Sequence, residues 1–342
     1  MAVGYFISII LGAILIWFSG SRLVQIVDFI CEKTGIGKAI VGAVVLGGVT
    51  SLPEISTTMI AASLGNAELA ASNLIGGVTM QTSMLAVADA LYLKKALTFI
   101  APNSALLMGG VLLIIQISYV TTCIEVGEIF QMFQIGLFAF GSFVLCTICL
   151  YVLRKYEKTK RWVPTDYPNV PKVEKNIFDD PASKHSSLKS MYVKLLLYSV
   201  LVFLGGSIVS YSAHRLTELT LLSSSFLGAT FVAFATSLPE LSTTLASVRL
   251  GSYTLGISNI FGSNLLMMGL IFFADIFYRD GLLLNHVGRS TLFLGGLGII
   301  VTAIYLWGML ERKNRTIFHM GIDSFLVLTI HVTGLIILYS WI

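Results

Sequence analysis

Charge is scarce in this chain. Of its 342 residues only 12% are Asp, Glu, Lys or Arg, against roughly 25% in soluble domains, while 56% are hydrophobic. That leaves too few polar side chains to cover a soluble surface, so no ordinary soluble domain can be carved from it. Cysteine is sparse as well. Cys31, Cys123, Cys146 and Cys149 are scattered, and the Cys146-x-x-Cys149 pair has no second pair to complete a metal site. It reads as packing inside an apolar helix. The histidines His185, His214, His286, His319 and His331 fall outside the conspicuous motifs and read as interfacial or loop residues. No His-Glu-x-x-His and no paired proteolytic aspartates are present, which argues against an intramembrane enzyme. The N-terminal apolar run lacks a basic leader and a small-x-small cleavage pattern, so it reads as a retained first helix.

What is abundant is long apolar segments. Runs of 18 residues or more recur along the chain, the length a helix needs to cross a bilayer. The expected fold class is therefore all-α: a polytopic membrane protein of about ten transmembrane helices. They fall near 4–30, 37–63, 67–91, 96–119 and 126–153, then 190–215, 221–249, 253–277, 283–309 and 319–341. Residues 154–189 hold four of the seven prolines and nine basic residues, and read as a polar linker. The domain reading is thus a five-helix unit over 1–153, a linker over 154–189 and a second five-helix unit over 190–342. With the N-terminus outside, 18 lysines and arginines lie in inner loops and only Arg215, Arg279 and Arg289 in outer ones. The expected location is the cell membrane, multi-pass, with a cytoplasmic linker. The net charge of +4 sits in loops that set topology, so no nucleic-acid partner is expected.

The two units are copies. Shifting the chain by 186 residues lays Val44–Asp89 on Thr230–Asp275, and 16 of those 46 positions are then identical. Thr50-Ser51-Leu52-Pro53-Glu54 matches Thr236-Ser237-Leu238-Pro239-Glu240, and Asn73 and Asp89 match Asn259 and Asp275. An odd number of helices per copy turns the second upside down relative to the first, giving an inverted repeat. Each copy sets a proline inside an apolar helix, where it removes a backbone donor and breaks the helix. Such a break is tolerated at membrane depth where it faces protein or a polar cavity. Glu54 and Glu240 stand beside the breaks with Thr50, Ser51, Thr236 and Ser237. Asn73, Gly77 and Gln81 follow at spacings of four, opposite Asn259, Ser263 and Met267 in the second copy. A mid-membrane carboxylate costs at least ~2.5 kcal/mol on insertion scales and is a functional group by default. Carboxylates, hydroxyls, amides and carbonyls together make an all-oxygen environment for a hard cation such as Na+ or Ca2+.

These motifs resemble the alpha repeats of the calcium/cation antiporter superfamily, the group that contains sodium/calcium exchangers. The resemblance rests on Gly48-Val49-Thr50-Ser51-Leu52-Pro53-Glu54 with Ser72-Asn73-Leu74-Ile75-Gly76-Gly77. In the second copy it rests on Phe234-Ala235-Thr236-Ser237-Leu238-Pro239-Glu240 with Ser258-Asn259-Ile260-Phe261-Gly262-Ser263-Asn264. It implies ion positions between helices 2, 3, 7 and 8, with Glu54 and Glu240 as central ligands. Thr50, Ser51, Thr236 and Ser237 would add hydroxyl or carbonyl oxygens, Gly47 and Ala233 carbonyls, and Ser263 a flanking Na+ ligand. Asn73, Asn259 and Gln81 are secondary candidates. Gly77 departs from the family's serine, and Gln81 and Met267 from its Asn or Asp. The local Gly65-Asn66-Ala67-Glu68 is similar to a proton/calcium exchanger fragment, but it lies in the loop after helix 2 rather than at a break.

The implied partners are Ca2+ and Na+ as substrates and the lipid bilayer, with no resident cofactor and no enzymatic activity. Ca2+ between two glutamates is charge-balanced, and Na+ ions can substitute. A proton can also neutralise a glutamate, so proton-coupled exchange is the alternative. Carboxylate rings line channels too, but an internal inverted repeat favours alternating access.

Overall fold

Hydrocarbon offers no hydrogen bonds, so apolar runs satisfy their backbone internally as helices. The computed structural model describes residues 2–93, 95–101, 103–132, 134–159, 188–217, 226 and 228–340. The first half contains α1 (Ala2–Thr34), α2 (Lys38–Thr50), α3 (Leu52–Ser63), α4 (Ala67–Tyr92), α5 (Ser104–Val126) and α6 (Leu137–Thr159). The second contains α7 (Leu188–Thr217), then α8, formed by Gly228–Val232 and Ala233–Thr236. It continues with α9 (Leu238–Arg249), α10 (Tyr253–Phe277), α11 (Arg289–Glu311) and α12 (Ile322–Ser340). Among the described residues eight helices are long and apolar enough to span a membrane. The count is nine if α2 and α3, bent by 48° at Ser51, form one span. The molecule is a polytopic helical membrane protein.

The duplication runs through the architecture, not only the motif. α2 and α8 each contain a widened π-helical turn, Gly42–Leu46 and Gly228–Val232, at matching positions. α3 and α9 each have 12 residues with proline in the first turn. Short helical turns at Leu97–Ile100 and Leu283–His286 also correspond. Two-residue antiparallel hairpins precede α6 and α12: β1 (Gln131–Met132) with β2 (Ile135–Gly136), and β3 (Thr316–Ile317) with β4 (Met320–Gly321). Leu137 N donates to Phe130 O, and Ile322 N to Arg315 O, in the same place of each half.

The two halves interlock around α4 and α10. Their apolar windows are 78% and 67% buried inside the protein, against 22% for α1 and for Leu188–Val209 of α7. Glycines permit the contact. A Cβ on Gly262 of α10 would collide with the backbone of Ala43 in the π turn of α2, and one on Gly76 of α4 would come 2.7 Å from Cα of Ala229 in α8. α1 and α7 pack against each other outside this centre. Each touches the second arm of a broken helix: Gly206 lies against Pro53 of α3, and Gly20 against Ser242 of α9.

Several sequence expectations are corrected here. The fourth and fifth helices begin at Ser104 and Leu137, not near 96 and 126. Asn103 caps α5 by accepting from Ala105 N at 2.9 Å, and the hairpin after Gly127 takes up the intervening chain. His331 is neither interfacial nor in a loop: it is 5% exposed within α12, because a neutral imidazole can be packed between helices. The carboxylate of Glu68 accepts from Gly288 N and from Thr291 Oγ1, so this residue ties α4 to the start of α11. Of the linker 154–189, residues 160–187, His185 among them, lie outside the described residues, as does the chain leading into α8 at 218–225.

Candidate cation site

Each proline break leaves a serine as the joint. Ser51 and Ser237 adopt nearly the same backbone, φ −79°, ψ 1° and φ −86°, ψ 9°. Pro53 and Pro239 then sit in the first turn of α3 and α9, where a missing N–H costs least. The break directs Glu54 and Glu240, one residue further, into the interior, and both carboxylates are fully buried.

The structure brings the two motifs together and crosses them. Ser237 Oγ of the second half donates to Glu54 Oε1 at 3.1 Å. Glu240 Oε1 accepts from Ser263 Oγ at 2.9 Å, and Ser263 Oγ is 2.5 Å from Ser51 Oγ of the first half. Ser51 Oγ also donates to Gly47 O at 2.8 Å, so two hydroxyl protons serve three contacts, and Ser51 and Ser263 form a linked pair beside Glu240. Through these hydroxyls each carboxyl group is tied to the motif of the other half. The other oxygens, Glu54 Oε2 and Glu240 Oε2, are buried with no hydrogen-bond partner. A buried oxygen left this way costs about 1–3 kcal/mol, more when charged.

The remaining predicted residues are all buried around this centre. Thr50 Oγ1 donates within its own helix, 3.0 Å from Leu46 O and 3.2 Å from Gly47 O, and lies 3.4 Å from Asn259 Oδ1. Thr236 Oγ1 donates to Ala233 O at 3.2 Å. The carbonyls of Gly47 and Ala233 also accept the N–H of Ser51 and Ser237. Asn73 Nδ2 donates to Thr58 Oγ1 and Asn259 Nδ2 to Thr243 Oγ1, so both asparagines brace the second arm of a broken helix. Gln81 is more central than its sequence rank suggested. Its Nε2 lies 3.5 Å from Glu54 Oε1, 3.3 Å from Ser237 Oγ and 3.3 Å from Met267 Sδ.

The two sides of the centre differ. At Ser263 the second half places a hydroxyl between Glu240 and Ser51. At the matching Gly77 there is no oxygen, and the space a Cβ would take holds the Met267 methyl. Thr244 Oγ1 and both polar atoms of Asn264 are further buried groups without a hydrogen bond. Asn264 follows Ser263 in the quoted motif but has valine, Val78, as its counterpart, so the repeat did not single it out. Chemically the centre is a cluster of oxygen donors that includes two carboxyl groups, the ligand type hard cations take. Among the described residues no group of three or more His, Cys, Asp or Glu side chains could hold a metal.

Comparison with known proteins bears on the family and the fold. The family model for the sodium/calcium exchanger protein matches residues 4–164 and 190–320. The chain is 24% identical to the putative antiporter CaxA of Alkalimonas amylolytica over 90% of its own length and 92% of that protein. It is 24% identical to the inner membrane protein YrbG of Escherichia coli K12 over 75% and 74%. Among solved structures it resembles the sodium-calcium exchanger NCX_Mj with a TM-score of 0.70 at 18% identity, covering 98% of this chain and 99% of that one. A family match over most of the chain, with the duplicated motif at its centre, places this protein in the sodium/calcium exchanger family.

Proposed function

We propose that this protein exchanges Ca2+ for Na+ across the cell membrane by alternating access, with Glu54 and Glu240 as the central ion ligands. The observation that carries this reading is the pair of fully buried carboxylates, one from each half, each left with one unpartnered oxygen. A cation between those oxygens supplies what the fold withholds. Thr50, Ser51, Thr236, Ser237 and Ser263, with the carbonyls of Gly47 and Ala233, complete the oxygen set, and Gln81 holds Glu54 from the side. Without a cation, two ionised carboxylates in low dielectric repel each other, at a cost of several kcal/mol per uncompensated ion. That penalty opposes movement of the unloaded protein and so couples the two fluxes.

The same reading takes α2 with α3, and α8 with α9, as single broken spans, ten spans in all, in two inverted halves joined by a cytoplasmic linker with the N-terminus outside. The matching elements of the two halves support it, as does the lysine and arginine distribution. The moving part is α1 with α7, the pair least embedded in the core. Its glycines Gly206 and Gly20 lie against α3 and α9, the second arms of the two broken helices.

Radiolabelled Ca2+ uptake into proteoliposomes tests the reading. Uptake is expected only when the vesicles are loaded with Na+, and Glu54→Gln or Glu240→Gln should lower it at least about tenfold. Uptake driven by internal acid alone would instead assign the proton-coupled alternative. Wild-type flux in both glutamine variants would remove the ligand assignment.

A further inference from the structure

A second pair of buried carboxylates lies away from the Glu54–Glu240 centre, at the end of α4. Asp89 Oδ1 accepts from Leu97 N at 2.9 Å, and its Oδ2 from Gly321 N of the β3–β4 hairpin at 2.8 Å. Asp323, in the first turn of α12, is 5% exposed and adjoins it. Both carboxylates crowd the bare face of Gly321: a Cβ there would collide with Asp323 Oδ1 and lie 3.2 Å from Asp89 Oδ2. Asp323 Oδ2 fills a second notch, at Gly308 of α11.

The other half shows what a purely structural pair looks like at this place in the fold. There Asp275 Oδ1 accepts from Leu283 N and its Oδ2 from Gly136 N, both at 2.7 Å. Its neighbour Glu128 accepts from Phe138 N at 2.9 Å and Ala139 N at 2.7 Å. Four carboxylate oxygens thus meet four backbone donors. In the Asp89–Asp323 pair Asp323 Oδ2 has no hydrogen-bond partner, and neither ion pair among the described residues involves it. Two fully buried hydroxyls stand at this end of the fold without a hydrogen bond: Tyr305 Oη, on α11 one turn before Gly308, and Ser324 Oγ, next to Asp323. Thr98, the residue after Leu97, is buried as well.

We propose that Asp89, Asp323, Ser324 and Tyr305 form a binding site for a hard divalent cation, separate from the transport centre. Two carboxylates balance a double charge, and their free lone pairs with two or three hydroxyls make an oxygen shell of the kind Ca2+ and Mg2+ take. Asp89 is held by the backbone and so is presented rigidly. Asp323 is the residue that the repeat does not explain, since the matching position, Phe138, carries no charge.

The test is equilibrium binding of radiolabelled Ca2+, with Mg2+ as competitor, to full-length protein in lipid nanodiscs carrying Glu54→Gln and Glu240→Gln. That protein should retain one Ca2+ per chain. Adding Asp323→Asn, which keeps size and helix-start chemistry, should weaken binding at least tenfold, and Tyr305→Phe or Ser324→Ala severalfold, with melting temperature as the control for folding. No Ca2+ bound by the folded Glu54→Gln/Glu240→Gln protein would overturn the proposal, as would binding indifferent to Asp323→Asn. Should Asp323→Asn fail to fold, unchanged affinity in the other two variants would overturn it. The transport reading fails separately, if wild-type proteoliposomes show no gradient-driven uptake.

Discussion

At the scale of single residues, the asymmetry around the two glutamates turns on Gly77 and Met267. Both depart from the family pattern, and the structure shows that they depart together: the methionine's methyl stands where a side chain at 77 would begin. Its sulfur accepts from Gln81, whose amide also serves Glu54 and Ser237. On this side a protein amide meets Glu54 Oε1. The contact makes a stability prediction. Gly77→Ser should destabilise the protein by about 1–3 kcal/mol, the usual cost of overpacking. Met267→Ala should relieve that cost, giving a coupling of at least about 0.5 kcal/mol in a double-mutant cycle. Thermal unfolding of the four proteins in detergent reads it out, and additive effects would show that the two side chains do not compete for space.

At the scale of elements, the broken spans depend on what fastens their ends. The start of α2 is held by Glu157 of α6, which accepts from Ala39 N at 2.9 Å and Ile40 N at 2.8 Å. This carboxylate caps a helix that has no capping side chain of its own, and it sits at the positive end of the helix dipole. Glu157→Ala should therefore cost about 1 kcal/mol, as lost caps do. A melting temperature equal to wild type would show that water replaces the cap. Below Lys38 a second tie joins three elements: Lys38 pairs with Asp28 of α1, and Ser252 Oγ donates to Asp28 Oδ1 at 2.7 Å. The motif helices were legible from their apolar length and their prolines. The π turns and hairpins were not, because they answer to packing against the opposite half.

For the whole molecule, the expectation to be tested is inversion. Phe130 and Arg315 occupy the same place in the two halves, before β1 and β3, and both are exposed. If the halves are inverted, Phe130→Cys should react with a membrane-impermeant maleimide from outside the cell, and Arg315→Cys only after the inner face is opened. Labelling of both from one side would end the inverted-repeat reading. The native cysteines are buried, so their background should be low. The same pseudo-symmetry places Asp89 and Asp275 as matched staples. Each binds one N–H of its own half and one from the hairpin of the other. As the carboxylates hold parts of both halves, they fasten the duplicated units into one body.

By itself the sequence determined the membrane class, the duplication and the identity of the residues at its centre. Long apolar runs, a proline in mid-helix and a carboxylate beside it are chemical demands that leave a local signature, and repetition doubles it. Only the tertiary structure decided how the copies meet. Ser237 and Gln81 meet Glu54, Ser51 meets Ser263 beside Glu240, and Met267 fills the space beside Gly77. These contacts join residues far apart in the chain, whose proximity follows from glycine-permitted packing of α4 and α10 against the opposite half. The same holds for Asp323: an ordinary acidic residue at a helix start in the sequence, it becomes the unpartnered member of a buried pair only when α12 docks beside Asp89.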